Sequence, residues 1–329
     1  MKQRKYNVMK NSRILLLFIF LSFQFSCDTD DDSILATPPA SGLTFNLETN
    51  QDQMGDFFCN SMAVYDEKIW STGGDNSYTN GMEYSDDVWT SADGIAWVSE
   101  VDNLEQPLCG HTLTVFDNKL WLIGGENNAG DWQNHIANSE GISSIAPFGA
   151  VAYHQTVVFN NRMYVIAGDP VTENTKVWST DDGTSWIEET PNAFSGRVSH
   201  KAVVFNNAIY IIGGENISST KLNEIWRSTN GRDWTLLTNN STIFPGINGH
   251  TATVYNNKVW VIGGRTATDL FTNDIYYSSD LENWTKYDGS NPLEPLVAHN
   301  TLYYNDALWV FGGRIDGGVT GKIWSIRED

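Results

Sequence analysis

The chain has 329 residues, a length that a single large all-β domain can use in full. Its 40 acidic residues outnumber its 20 basic residues, and the formal net charge is -20 at pH 7. A charge of this sign opposes binding to nucleic acid and to anionic lipid headgroups, so we exclude nucleic acid as a partner.

The first 26 residues have the pattern of a signal peptide. Five basic residues and no acidic ones precede an apolar stretch, residues 14–26, which is too short to span a bilayer. The stretch leads to Phe25-Ser26-Cys27, which resembles a bacterial lipobox. We therefore predict a signal peptide over residues 1–26 and lipidation of Cys27. Ordinary secretory cleavage nearby is the alternative.

Residues 27–40 have the composition of a solvated, flexible tether. An acidic run follows Cys27 and leads into a stretch rich in Ser, Pro and Ala, which cannot bury a core. An acidic run directly after a lipidated cysteine resembles the surface-export signal of Bacteroidetes lipoproteins. The resemblance implies an outer-membrane lipoprotein on the cell exterior, with a periplasm-facing anchor as the alternative. We expect the N-terminal lipid anchor to be its only contact with the membrane.

From residue 41 onward the chain repeats a unit six times. Each unit contains an apolar run that ends in a small residue followed by Gly, at intervals of 51, 43, 46, 50 and 49 residues. A period of this size is typical of propeller blades, each of about four strands. The pairs are Gly73-Gly74, Gly124-Gly125, Ala167-Gly168, Gly213-Gly214, Gly263-Gly264 and Gly312-Gly313.

Each unit carries two predicted β-hairpins. In the fourth unit, residues 200–205 alternate in polarity, Asn206-Asn207 supplies a tight turn, and the apolar run 208–212 leads into the Gly pair. The second hairpin has two aromatic residues eight positions apart. These aromatic pairs are Trp89 and Trp97, Trp178 and Trp186, Trp226 and Trp234, and Tyr276 and Trp284.

The repeat resembles that of the kelch family, the propeller type also seen in galactose oxidase. The resemblance covers about residues 41–329. It implies one domain over that range, an all-β, six-bladed propeller with four antiparallel strands per blade. It rests on the Gly pairs, the later Trp residues and the aromatic residue before each pair, namely Trp70, Trp121, Tyr164, Tyr210, Trp260 and Trp309.

The N-terminal strand is expected to close the ring. The last unit has room for a third strand but none for a fourth, and residues 43–48 have a suitable pattern. We predict that residues 43–48 pair with 319–327 and complete the last blade, which would remove the exposed sheet edges.

Two cysteines remain besides Cys27. Cys59 and Cys109 both lie just before the first strand of a unit, in blades 1 and 2. An extracytoplasmic compartment permits a disulfide, and neighbouring inner strands converge in a propeller. A Cys59–Cys109 bridge and two separate thiols both remain open.

Five of the six histidines occupy one repeat position, and Asn60 takes that position in blade 1. A six-fold ring is too wide for ligands that must converge at about 2 Å from one metal ion. We therefore predict that these histidines have a structural role between inner strands and bind no metal. They are His111, His154, His200, His250 and His299.

Sequence motifs for catalysis or cofactors are not apparent. The chain has no Gly-x-Ser-x-Gly elbow and no His-Glu-x-x-His motif, and the copper-ligand set of galactose oxidase cannot be placed on it. We therefore predict no cofactor and assign no catalytic residue.

The candidate ligand-binding residues follow the Gly pairs. In kelch propellers this position and the entry to each first strand open on one face. The position is acidic in blades 1–4 and Arg in blades 5 and 6. Arg197 lies just before the first strand of blade 4, and Trp132 lies in the loop after Glu126. Structural ion pairs, and a packing role for Trp132, are the alternatives. The candidates are Asp75, Glu126, Asp169, Glu215, Arg265, Arg314, Arg197 and Trp132.

Two classes of function fit this pattern. The first is a non-catalytic, lipid-anchored binding module for a glycan, peptide or protein. The second is an extracytoplasmic sugar-modifying enzyme similar to the kelch-type sialate mutarotases, in which the arginines would hold a carboxylate and Glu126 or Glu215 would move a proton. A binding module is expected to show a broad, aromatic-rimmed face, and an enzyme a cleft with convergent polar groups.

Overall fold

The computed structural model of the protein describes residues 42–50, 53–75, 83–100, 103–166, 168, 175–238 and 245–329. The predicted signal peptide, Cys27 and tether lie outside the described residues. Residues 40–329 form one compact unit. Within the described ranges all regular structure is β, and no helix there could span a membrane.

Six four-stranded antiparallel sheets, blades 1–6, follow one another along the chain. The first strand, β1 (Leu43–Thr49), belongs to blade 6. Blade 1 contains β2 (Ser61–Tyr65), β3 (Lys68–Thr72), β4 (Val88–Ser91) and β5 (Val98–Ser99). Blade 2 contains β6 (Thr112–Phe116), β7 (Lys119–Ile123), β8 (His135–Asn138) and β9 (Ser143–Ile145). Blade 3 contains β10 (Gln155–Phe159), β11 (Arg162–Ile166), β12 (Val177–Thr180) and β13 (Ile187–Thr190).

The second half of the chain has short strands outside the blades as well. Blade 4 contains β14 (Lys201–Phe205), β15 (Ala208–Ile212), β16 (Ile225–Ser228) and β17 (Thr235–Thr238). Next come β18 (Ile247–Asn248), β19 (Thr251–Tyr255), β20 (Lys258–Ile262), β21 (Arg265–Thr266), β22 (Ile275–Ser278) and β23 (Thr285–Lys286). Blade 5 is β19, β20, β22 and β23, and β18 and β21 pair with each other outside it. Last come β24 (Leu296–Val297), β25 (Asn300–Tyr304), β26 (Ala307–Phe311), β27 (Arg314–Ile315), β28 (Gly318–Val319) and β29 (Ile323–Glu328). Blade 6 is β25, β26, β29 and β1, and β24, β27 and β28 form a small separate sheet.

The hairpin that opens each blade is built on a two-residue turn. In blade 4, Phe205 pairs with Ala208, and the turn residues Asn206 and Asn207 have φ of 43° and 57°. Two consecutive positive φ values are the mark of the type I′ turn that matches strand twist, which Asn and Asp tolerate well. The predicted hairpin is therefore confirmed, and the same turn recurs in all six blades.

The innermost strand of each blade contacts that of the next, and blade 6 contacts blade 1. The ring closes as predicted, because β1 pairs with β29 from Leu43↔Glu328 to Thr49↔Ile323. The partner segment is shorter than the expected 319–327. Gly318 and Val319 instead fold back onto Arg314 and Ile315, so the last strand begins only at Ile323.

The Gly pairs let neighbouring blades approach closely. At Gly213, φ is +61°, and an added Cβ would lie 2.6 Å from the carbonyl oxygen of Ile247 and 3.0 Å from Cε1 of His250 in the next blade. At Gly214, an added Cβ would lie 2.9 Å from Cβ of His200 in the same blade. The pair is thus wedged between two successive histidines, and only Gly combines this conformation with the missing side chain.

Candidate ligand-binding site

Six residues form a closed ring of backbone hydrogen bonds, which we call the collar. Each directly precedes the repeated His or Asn, has a positive φ between 53° and 65°, and donates its N–H to the carbonyl of the preceding blade. The six N···O distances run from 2.7 to 3.2 Å, and the bond from Cys59 to Ala298 closes the circle. The collar residues are Cys59, Gly110, Tyr153, Ser199, Gly249 and Ala298.

A cavity of about 510 Å³ passes through the collar, and all six collar residues line it. On one side it is lined by residues of the rim. We define the rim as the residue that follows each Gly pair together with the loop that this residue begins. On the other side it is lined by the first residues of the innermost strands, including Thr112, Lys201 and Thr251. The volume lies within the range of small-molecule sites.

Blades 1–3 give this cavity a side with two phenols and nearby carboxylates. Asp75, Tyr84 and Tyr153 line the cavity, and the Tyr84 hydroxyl donates to Glu126 Oε1 at 3.3 Å. Burial, followed by the charge of Glu126, raises the pKa of Tyr84 to about 12. Burial also raises the pKa of Tyr153, and Tyr84 and Glu126 add to this rise. Both phenols are therefore protonated at neutral pH and belong to one hydrogen-bonded cluster with Glu126.

Blades 5 and 6 give the cavity two arginines. Arg265 and Arg314 both line it and are exposed, and the aromatic ring of Phe271 lies on the same wall. Arg265 Nε lies 3.4 Å from Asp269 Oδ1 in its own loop. Because 44% of the Arg265 side chain is exposed, this pair leaves its guanidinium accessible to a ligand.

The backbone presents these rim side chains in a repeated way. In the five blades where the residue after the Gly pair is described, it bridges back to the segment before the collar, as in Asp75 with Phe58 and Glu126 with Cys109. In blades 5 and 6 the same bridge is part of a short strand pair, Arg265 with Asn248 and Arg314 with Val297. The rim backbone is thus similar from blade to blade while its side chains differ.

Comparison with known proteins agrees with this architecture. A model of the KLHDC2/KLHL20/DRC7 Kelch-repeats domain matches residues 153–327, more than half of the chain. The chain belongs to the kelch-repeat family. Among solved structures, that of YjhT resembles this kelch chain with a TM-score of 0.65 and 16% identity, covering 84% of this chain and 96% of YjhT. At that identity the likeness shows the fold alone. No curated protein matches the sequence.

The prediction for Arg197 needs correction. This residue of the kelch chain is completely buried and does not line the cavity. Its guanidinium forms an ion pair with Glu224 and donates to the carbonyls of Gly213 at 3.0 Å and Ser195 at 3.1 Å. Since its donors are turned inward to these acceptors, Arg197 stabilises blade 4 and cannot contact a ligand.

Glu215 also takes part in internal contacts. Its carboxylate accepts from the Asn248 amide and lies 3.4 Å from Lys221 Nζ, which also bonds Asp269 Oδ1 of the next blade. This network ties the rim loops of blades 4 and 5 together, and Glu215 does not line the cavity. Asp169, predicted at the same repeat position of blade 3, lies outside the described residues.

Trp132 and Glu126 lie behind the cavity wall. Trp132 is half-buried, and its ring meets that of Tyr153 edge to face, with centroids 6.3 Å apart. Glu126 does not line the cavity and reaches it through Tyr84 and Tyr153. Of the eight candidates, the structure therefore brings Asp75, Arg265 and Arg314 together around one cavity.

Sequence reasoning missed Tyr84, Tyr153 and Lys201. Tyr84 occupies the same bridging position as Trp132 and Phe271, so the repeat alignment could have drawn attention to it. Tyr153 and Lys201 flank repeated histidines, but their positions on the channel become visible only when the six blades close into a ring.

Cys59 and Cys109 form a disulfide with their Cα atoms 5.4 Å apart. It joins blades 1 and 2 at the collar, and both cysteines line the cavity. Cys109 Sγ lies 3.6 Å from the Tyr153 hydroxyl. The disulfide therefore fixes the acidic and phenolic side of the site.

The repeated histidines are buried between blades. Nε2 of His111 lies 2.8 Å from Thr72 Oγ1 of the preceding blade, and Nε2 of His154 lies 3.1 Å from Thr112 Oγ1. Burial lowers the pKa of His111 to about 4 and of His154, His250 and His299 to about 3. Within the described ranges, no group of three or more His, Cys, Asp or Glu is placed to hold a metal ion.

Proposed function

We propose that this kelch protein is a non-catalytic binding module that recognises a carboxylate of a glycan, peptide or protein ligand at the mouth of its channel. One observation carries the proposal. Among the described residues that line the cavity, Asp75 is the sole acid, against Lys201, Arg265 and Arg314. A positively charged cavity in a chain of net charge -20 favours an anionic ligand group there.

The chemistry of the two walls fits such a ligand. An Arg guanidinium can pair with a carboxylate through two parallel hydrogen bonds. Opposite the arginines, the phenol oxygens of Tyr84 and Tyr153 and the carboxylate of Asp75 could accept hydrogen bonds from ligand hydroxyls. We expect the ligand to be held by its charge on the side of blades 5 and 6.

An array of acidic and neutral glycans and peptides would test this proposal. We expect acidic ligands to bind to the wild type and to lose affinity with Arg314→Ala. Arg232→Ala is the matched control, because Arg232 is an exposed arginine of blade 4 that pairs with Glu189 and does not line the cavity. An equal loss of affinity in both variants would contradict the proposal. Binding of neutral ligands alone by the wild type would contradict it as well.

A second function is favoured by the cluster of Tyr84, Tyr153 and Glu126. Such hydrogen-bonded phenols beside a carboxylate could move a proton at a ligand held by the arginines, as expected for an enzyme similar to the kelch-type sialate mutarotases. NMR exchange between the anomers of a sialic acid would reveal it. Acceleration by the wild type that is lost in Glu126→Gln would favour the enzyme over the binding module.

For its location, we propose an outer-membrane lipoprotein anchored through Cys27 and facing the cell exterior. The lipobox-like sequence and the acidic run after it support this. Cys27→Ser should release the protein from membranes or leave it unprocessed. Protease added to intact cells should cleave the wild type, whereas protection would favour the periplasmic alternative.

A further inference from the structure

A second candidate site lies on the far side of the collar from the rim. The first residue of each innermost strand faces the channel there and lines the cavity. Five of these residues are neutral and polar, and blade 4 alone has a basic residue. The six are Ser61, Thr112, Gln155, Lys201, Thr251 and Asn300.

The ammonium group of Lys201 has neither a hydrogen bond nor an ion pair to any described residue. Burial alone accounts for the lowering of its pKa to about 8, with no carboxylate contributing. It is close enough to His200, His250 and His299 to lower their pKa values, and these histidines, neutral at pH 7, offer it no counter-charge. A half-buried cation without a counter-charge carries a desolvation cost, and a bound anion would reduce that cost.

The other donors around Lys201 are largely occupied. Each collar N–H donates to the carbonyl of the collar residue in the preceding blade. The Thr112 and Thr251 hydroxyls bond His154 and His299. The Asn300 amide donates to Asn60. Below the collar, Lys201 is therefore the principal donor that the described channel wall can offer to a ligand.

We infer that the channel below the collar binds a small monovalent anion, a halide or a free carboxylate, at Lys201. The site is separate from the rim, because it uses a different layer of the cavity and needs neither Arg265 nor Arg314. It is open to small ions, since the cavity is continuous through the collar. The inference does not depend on the identity of the rim ligand.

Chloride binding to the purified full chain, measured as ³⁵Cl NMR line broadening, would test the site. We expect broadening by the wild type, and a fall in chloride affinity of about tenfold or more in Lys201→Gln, because a charge-assisted hydrogen bond is lost. Gln is the residue that blade 3 carries at this position. Lys68→Gln, which changes an exposed lysine on β3, should behave as the wild type.

Further arms separate the possible sources of the signal. Lys201→Thr gives blade 4 the residue that blades 2 and 5 carry at this position. It serves as the test variant if Lys201→Gln fails to fold. Acetate at constant ionic strength should displace chloride if the site accepts free carboxylates, and a halide-only site would leave the broadening unchanged. The double variant Arg265→Ala/Arg314→Ala should retain the broadening. Absence of broadening in the wild type, its persistence in the folded Lys201 variants, or its loss only in the arginine double variant would overturn the inference.

Discussion

The repeated histidine position and the rim position behave in opposite ways around the same ring. The first is His in five blades and Asn60 in the other, and all six side chains are buried. The second keeps its backbone bridge yet changes from Asp75 and Glu126 to Arg265 and Arg314. The repeated position is therefore nearly constant where the blades must pack alike, and it varies where the side chain contacts the cavity.

The largest expected effect is a loss of folding stability in acid, caused by the five repeated histidines. These histidines have folded pKa values below the ordinary value of about 6.5, so protons favour the unfolded state. The neutral histidines make their full contribution to the free energy of unfolding above pH 6.5, and this contribution is lost as the pH falls toward about 3 to 4. Within this pH range, each histidine should lower the free energy of unfolding by more than about 1 kcal/mol per pH unit. The five together should lower it by about 5 kcal/mol or more per pH unit.

Chemical denaturation between pH 7 and 5 would measure this dependence. His250→Asn, which copies the residue of blade 1, should reduce the steepness by about one proton. If neither His250→Asn nor His200→Asn changes the slope, acid lability arises elsewhere in the protein.

Arg197→Ala should affect stability more than any rim arginine. It leaves Glu224 without its buried cation and the Gly213 carbonyl without a donor. The expected loss in the free energy of unfolding is about 3 kcal/mol or more. Urea unfolding would measure the loss, with the exposed Arg265→Ala as the comparison, which should change stability by less than about 0.5 kcal/mol. Similar values for the two variants would undo the distinction between inner and rim arginines.

Gly213→Ala should destabilise the protein by about 2 to 3 kcal/mol. The new methyl group would meet the Ile247 carbonyl and His250 in a strained backbone conformation. Gly317→Ala is the matched control, because φ there is +78° and nothing lies within 4 Å of the added Cβ. It should lose only about 1 kcal/mol, from the backbone conformation alone. Equal melting temperatures of the two variants would show that close packing at the Gly pair contributes little.

At the rim the expected effect is smaller and concerns ligand affinity. Arg265→Ala or Arg314→Ala should weaken an acidic ligand about tenfold, because a charge-assisted hydrogen bond is lost from a partly exposed site. Trp132→Ala should change affinity less, since Trp132 acts only through its contact with Tyr153. Titration calorimetry with the ligand from the array would rank them, and a larger loss in Trp132→Ala would shift the site toward blade 2.

The six units, the two-residue turns, the Gly pairs and the closing strand 43–48 could all be predicted from the sequence alone. These features depend on local turn chemistry, on alternation along a strand and on a missing fourth strand, all of which can be counted along the chain. It also selected Arg265, Arg314 and Asp75, since each follows a Gly pair that fixes its direction.

Only the tertiary structure decided which side chains reach the channel. Arg197 could have faced the rim, but Glu224, 27 residues later in the chain, and the Gly213 carbonyl together turn it inward. The collar and the solitary Lys201 appear only when six blades come together, because each blade contributes a single residue to either layer. A long charged side chain points toward its partners, and those of Arg197 are brought together by the folding of blade 4 rather than by neighbouring sequence.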